Sequence, residues 1–146
     1  MKKSHFKNNI TAWEFITYPR IKETTGVLGV VELGKELDFV IKRIFYLTDV
    51  PEHCGRGFHS HKELMQLVLC LKGSFSITLD NGTSRENFIM TPETPSLYLD
   101  GRVWREMGGF SDDAVMLVLC DKEYRFDEVV RDYNKFSEYL VDFELI

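Results

Sequence analysis

"GRGFHSHKELMQLVLCLKG", residues 55–73, sets two histidines one residue apart directly before an apolar run from Met65 to Leu71. Seven residues of this kind between turn signals read as a buried strand rather than a helix. Other runs repeat the pattern. "GVLGVVEL" (26–33) and "DFVIKRIFYL" (38–47) precede the pair, and "SFSITL" (74–79) follows it. That last run ends at Asp80-Asn81-Gly82, where Asn-Gly is a hairpin signal. "SRENFIM", "SLYL" and "AVMLVLC" extend the series to at least seven strand candidates. Connections are short and no long helix intervenes, so the expected fold class is all-β, an antiparallel sandwich or barrel.

Alternation places the strands relative to a core. Phe75, Ile77 and Leu79 face one way, and Ser74, Ser76 and Thr78 the other, as in a half-exposed strand. "LVLCL" and "VMLVLC" are apolar on both faces, so each needs cover from a second sheet or from another subunit. One helix is expected near the C-terminal end. In "DEVVRDYNKFSEYL", Val129, Tyr133, Phe136 and Leu140 make one apolar stripe that suits a docking helix. There is no repeat or low-complexity linker, and residues 1–146 are read as one domain.

Bulk properties exclude several classes. The chain has 146 residues, 44% hydrophobic and 28% charged, which is globular composition. A net charge of −5 disfavours a nucleic-acid surface, so an anionic ligand would need a local cluster of basic residues. No run has membrane-spanning length, and the basic N-terminus lacks the apolar segment of a signal peptide. Three cysteines, an odd number without a CxxC, fit a reducing compartment. Cys70 and Cys120 sit in apolar runs and read as buried thiols. A cytoplasmic protein without nucleic-acid or membrane partners is expected.

In an extended strand His59 and His61 point to the same face, where they could hold a metal ion or move protons. The pattern is HxH, four residues, Gln66, six residues, Gly73. It resembles the first motif of the cupin superfamily, in which a glutamate stands at the Gln66 position and a second motif adds a histidine. Here the amide carries no charge, and "NFIMTPETPSLYLDGRVWRE" contains no histidine. Two imidazoles and an amide are a poor ligand set for zinc or iron, unless His53 or Cys54 folds in. Proton transfer is the preferred reading, with no metal and no cofactor.

Further segments sharpen the resemblance. "FVIKRIFYL", "RGFHSHKELMQLVLCLKGS", "LYLDGRVWREMGGFSDDAVMLVLC" and "YRFDEVVRDYNKF" together resemble the sugar 3,4-ketoisomerase family of cupins. The resemblance implies a double-stranded β-helix (jelly roll) with a short C-terminal helix, and a homodimer. It implies a metal-independent isomerase that interconverts the 4-keto and 3-keto forms of dTDP-4-dehydro-6-deoxyglucose, on the way to dTDP-3-amino-3,6-dideoxyhexoses. It names His61 as the base at C3 and His59 as its partner, an order the sequence alone does not set. Tyr46 is expected either as a proton-shuttling hydroxyl or as a packing residue.

The nucleotide would account for basic residues in an acidic chain. Arg43, Arg56, Arg102 and Arg105 are candidates for the pyrophosphate, with Arg105 alternatively paired to a carboxylate. Lys62 and Gln66 are further substrate-binding candidates. Trp104 or Tyr98 could stack on thymine or belong to the core. Competing functions are a metal-dependent cupin (a dioxygenase or sugar isomerase) and a non-catalytic nucleotide-sugar-binding cupin. The absence of a GxGxxG segment is consistent with chemistry that needs no nicotinamide.

Overall fold

The apolar run behind the histidine pair lies at the centre of a sheet. The computed structural model describes residues 12–139. Its strands are β1 (Trp13–Ile16), β2 (Arg20–Glu23), β3 (Gly26–Gly29), β4 (Arg43–Leu47), β5 (Arg56–His61) and β6 (Met65–Lys72). After them come β7 (Phe75–Asp80), β8 (Arg85–Met90), β9 (Ser96–Asp100), β10 (Trp104–Gly108), β11 (Val115–Cys120) and β12 (Val129–Val130), then the short helix α1 (Tyr133–Phe136). One sheet has the order β1-β9-β6-β11-β4 and a second the order β12-β5-β10-β7-β8, while β2 and β3 form a separate hairpin. All the strand pairings are antiparallel. The two five-stranded sheets make a jelly roll, as the all-β reading expects.

The main core joins the two sheets. Val68, Cys70, Leu97, Leu99, Met116 and Val118 come from the first, and Phe75, Ile77, Leu79 and Met107 from the second. Each fully buried aliphatic side chain contributes about 1.5–3 kcal/mol through removal from water. The doubly apolar strands obtain their second cover within the same chain. Leu67, Leu69, Tyr98 and Leu119 pack on the far side of the first sheet against Tyr18, Leu37 and Phe39. The hairpin after Leu79 forms as expected, although its register pairs Asp80 with Arg85 and leaves a four-residue loop. In that loop Gly82 has φ of 93°, and Asn81 Oδ1 accepts from the backbone N–H of Thr83 and Ser84.

The C-terminal helix is shorter than its apolar stripe suggests. Val129 and Val130 are extended and pair with His61 and Ser60. Helix α1 begins only at Tyr133, where Asp132 caps it by accepting from the Asn134 N–H. The unpaired edge of β5 competes for Val129 and Val130, and two β-branched residues fit a ladder better than a helix. Phe136 does dock, joining Trp104 and Val130 in a small buried cluster. Leu140 lies outside the described residues.

Candidate active site

His59 and His61 alternate inward along β5, while the intervening Ser60 is buried on the other face. Just before the pair the strand bulges. His59 faces Arg105, but Gly57 faces Glu106, so Phe58 is the extra residue and takes a positive φ of 55°. A bulge at this place turns the following side chain relative to the sheet. Gly57 has φ of 89°, and a Cβ there would sit 2.9 Å from the Arg105 carbonyl oxygen. On the other side of the pair, Gly101 lets two chains approach. The His61 N–H donates to the Gly101 carbonyl at 2.7 Å, and a Cβ on Gly101 would lie 2.2 Å from Leu64 O.

Sheet register builds the facing wall. On β11, Cys120 pairs with Arg43 of β4 on one side and with Gln66 of β6 on the other, so these three side chains form a row. Arg43 Nη2 and Gln66 Nε2 each donate to Cys120 Sγ at 3.6 Å. The Arg43 guanidinium also lies 5.5 Å from the ring centroids of both Phe45 and Tyr124. Between this row and the histidines is a cleft of about 320 Å³, closed at its rim by residues 123–131. A smaller extension of about 120 Å³ runs into the barrel past Gln66, Arg105 and Met107.

Within the cleft the imidazoles touch. His59 Nε2 and His61 Nε2 are 3.2 Å apart, with the rings perpendicular. His61 Nδ1 lies 2.7 Å from Glu128 Oε1, and the other oxygen, Glu128 Oε2, accepts from the N–H groups of Glu63 at 2.6 Å and Leu64 at 3.1 Å. Burial pushes His59 down to about 3, with the Arg105 guanidinium adding to the effect. Burial also pushes His61 below its ordinary value, although the hydrogen bond to Glu128 opposes the shift. Burial alone would raise Glu128, but the bonds from His61 and from the Glu63 N–H outweigh it and hold the carboxyl below its usual range. At neutral pH the site therefore contains two neutral imidazoles and a carboxylate.

Metal ligation fits these residues poorly. The amide oxygen of Gln66 accepts a hydrogen bond from Arg105, whose buried guanidinium also donates to the carbonyls of Gly101 and Val103. A fixed cation thus stands beside the third candidate ligand. Burial lowers Arg105 to about 10, which leaves it charged at neutral pH. Among the described residues no cluster of three or more His, Cys, Asp or Glu side chains is placed to hold a metal ion. His53 and Cys54 are not among the residues lining the cleft.

The structure brings together His59, His61, Arg43, Gln66 and Arg105, and sets Arg56 at the mouth beside Arg131. Other expected site residues lie elsewhere. Tyr46 is 67% exposed on the outer face of β4, because strand alternation turns Arg43, Phe45 and Leu47 inward and Tyr46 away. Tyr98 is fully buried in the outer core, where its hydroxyl donates to Asp38, so it does not stack on a base from the cleft. Trp104 packs against Tyr133 and Phe136 and donates to Glu106 at 2.9 Å, so it anchors the C-terminal segment. Arg102 folds back onto Asp100 in a two-point contact of 2.7 and 3.0 Å, and Lys62 is exposed outside the cleft. Arg105 is committed to protein acceptors rather than presented to a phosphate.

Sequence reasoning missed Glu128 and Arg131, while Cys120 is the buried thiol it expected. Glu128 stands in a stretch that reads as helix surface, and only the pairing of Val129 with His61 carries it to the pair. No local spacing signals a contact across 67 positions.

A jelly roll with a buried imidazole pair in a basic-rimmed cleft has the architecture of a cupin-fold enzyme. The family model described as "FdtA: WxcM-like, C-terminal" matches residues 11–141. A TDP-4-oxo-6-deoxy-alpha-D-glucose-3,4-oxoisomerase of Aneurinibacillus thermoaerophilus is 35% identical over 130 residues, which is 89% of this chain and 94% of that one. A mutant of the 3,4-ketoisomerase QdtA from Thermoanaerobacterium thermosaccharolyticum, solved in complex with TDP-4-keto-6-deoxyglucose, has TM-score 0.85 and 30% identity, covering 90% of this chain and 95% of that one. A 3,4-ketoisomerase from Helicobacter canadensis has TM-score 0.83 and 34% identity, covering 89% and 98%. The chain belongs to the FdtA (WxcM-like) family of cupin-fold sugar 3,4-ketoisomerases.

Proposed function

We propose that this protein interconverts the 4-keto and 3-keto forms of TDP-4-keto-6-deoxyglucose by histidine-mediated proton transfer, without a metal ion. The observation that carries the reading is the His59–His61 contact inside the cleft, with His61 backed by Glu128.

The reaction moves one carbon-bound and one oxygen-bound proton. The base removes the proton from C3, and those electrons become the C3–C4 double bond while the carbonyl pair moves onto O4. The resulting enediolate gains a proton at O4 and loses one from O3. When the C3 carbonyl forms, the double-bond electrons take a proton at C4. His61 is the base, because the imidazolium it becomes is stabilised by the Glu128 carboxylate behind it. His59 is the partner that passes protons on the same face.

The cleft supplies charge for the diphosphate. No carboxylate pairs with Arg43 or Arg131 among the described residues, and both line the cleft. The 3-keto product has a carbonyl at C3 that an aminotransferase can accept, which is consistent with a step toward TDP-3-amino-3,6-dideoxyhexoses. A homodimer is part of the same reading.

Proton NMR in deuterated water tests the assignment. The wild type should exchange the C3 hydrogen of TDP-4-keto-6-deoxyglucose and form the 3-keto isomer, with activity surviving exhaustive chelation. His61→Asn should lose both exchange and product. Absence of exchange and product with the wild type would refute the substrate, and full activity of His61→Asn would refute the base.

A further inference from the structure

Glu128 differs from an ordinary surface carboxylate in having each oxygen assigned. Oε2 is taken by two backbone donors, the N–H groups of Glu63 and Leu64, so it has an acceptor role that no rotation can exchange. Oε1 is thereby aimed at His61 Nδ1. A carboxylate accepts only, so neutral His61 must carry its proton on Nδ1, and its Nε2 is bare. Among the described residues the polar atom against that bare nitrogen is His59 Nε2, which must then carry its own proton and donate. This leaves bare His59 Nδ1, a buried nitrogen that makes no hydrogen bond among the described residues. The chain of three side chains has one consistent proton arrangement, and the carboxylate sets it.

We propose that Glu128 is a positioning residue that fixes the tautomers of both histidines, keeping His61 Nε2 unprotonated, with a lone pair that accepts from His59 in the ligand-free protein and takes a carbon-bound proton once substrate displaces that contact. This rests on the assignment of His61 as base, but the tautomer order is a property of the ligand-free protein. The carboxylate reaches the pair because β12 pairs with β5 next to His61 and because the backbone N–H of Lys62 donates to the Glu128 carbonyl at 3.0 Å. The residues just after the pair, Glu63 and Leu64, supply the donors that lock Glu128. The loop leaving the histidine strand therefore holds the group that orients it.

The substitution Glu128→Gln is informative because it keeps the shape. Two N–H donors still face the Oε2 position, so the amide oxygen must turn to them, and the amide NH2 then faces His61 Nδ1. That geometry moves the His61 proton to Nε2 and removes the base lone pair while leaving the packing intact.

Nitrogen-15 NMR of the ligand-free protein at neutral pH reads this directly. In the wild type His61 Nδ1 should resonate as a protonated, pyrrole-type nitrogen and Nε2 as a bare, pyridine-type one, and Glu128→Gln should exchange the two. The same variant should lose about a hundredfold or more in kcat with KM within about threefold. Glu128→Asp, which keeps an acceptor, should restore the wild-type tautomer and part of kcat. A bare Nδ1 on wild-type His61 would overturn the proposal, as would an unchanged tautomer with unchanged kcat in Glu128→Gln. If the tautomers exchange as expected but the wild type does not isomerise the TDP-sugar, the substrate assignment fails and the tautomer assignment stands.

Discussion

His59 and His61 are held neutral by the same burial that a proton abstraction from carbon requires. The sign of the effect can be followed through pH. Both histidines bind protons less readily in the folded protein than free histidine does, near 6.5. The base form therefore persists to lower pH than in free histidine, and the acid limb of kcat/KM should have its midpoint below 6.5. Stability follows the same sign. As pH falls below 6.5 the unfolded chain takes up protons that the folded chain refuses, so stability falls with decreasing pH. Glu128 acts in the same direction, since its lowered value stabilises the fold at higher pH and the contribution is lost on acidification. Melting temperature recorded from pH 7 to 4 should decrease, and less steeply in His59→Asn. Arg131 stands at the rim beside Arg56, and its charge is the smallest of the influences that lower His59. Arg131→Ala should raise KM severalfold and leave kcat near wild type, which steady-state kinetics would report.

Strand β12 is two residues long, yet it closes the site. It is held by its pairing to β5, and behind it Val130 and Phe136 pack with Trp104. Tyr133 adds a hydrogen bond of 2.6 Å to Asp80, which also pairs with Arg85 at 2.9 Å. Phe136 is nearly fully buried although it lies far from the histidines in sequence. Phe136→Ala should cost about 3 kcal/mol of stability. It should also reduce kcat by freeing Glu128, so a melt and an assay on one sample should move together. The β9–β10 connection is equally tight. Gly101→Ala would drive a Cβ into the Leu64 carbonyl and against His61, so the variant should lose both thermal stability and C3 exchange. The helix expected over this C-terminal stretch fails for an element-level reason. A stripe of apolar residues specifies only that one side must be covered, and here the edge of β5 covers Val129 and Val130 in place of a helix.

The outer face of the first sheet retains exposed apolar side chains although the sheet is covered elsewhere by Leu37 and Phe39. Ile44 and Tyr46 on β4 lie in register with Leu119 and Leu117 of β11, and a groove of about 460 Å³ runs from Leu117 to Val27 and Leu71. Exposed apolar side chains of this kind suit the second copy of the proposed homodimer. Sedimentation should give a dimer for the wild type and a monomer for Ile44→Arg, and an unchanged dimer in the variant would place the interface elsewhere.

By itself the sequence determined the all-β architecture, the doubly apolar character of the run from Met65, the placement of His59 and His61 on one face of a strand and the family. These depend on period-two patterning and on a spacing within a few residues, which the chain carries locally. Tertiary structure decided which of the aromatic and basic candidates face the cleft. Tyr46, Tyr98 and Trp104 could each be assigned to either side of a strand, and only sheet register settles the face. It also decided Glu128, because a hydrogen bond between residues 61 and 128 exists only after β12 has joined the edge of β5.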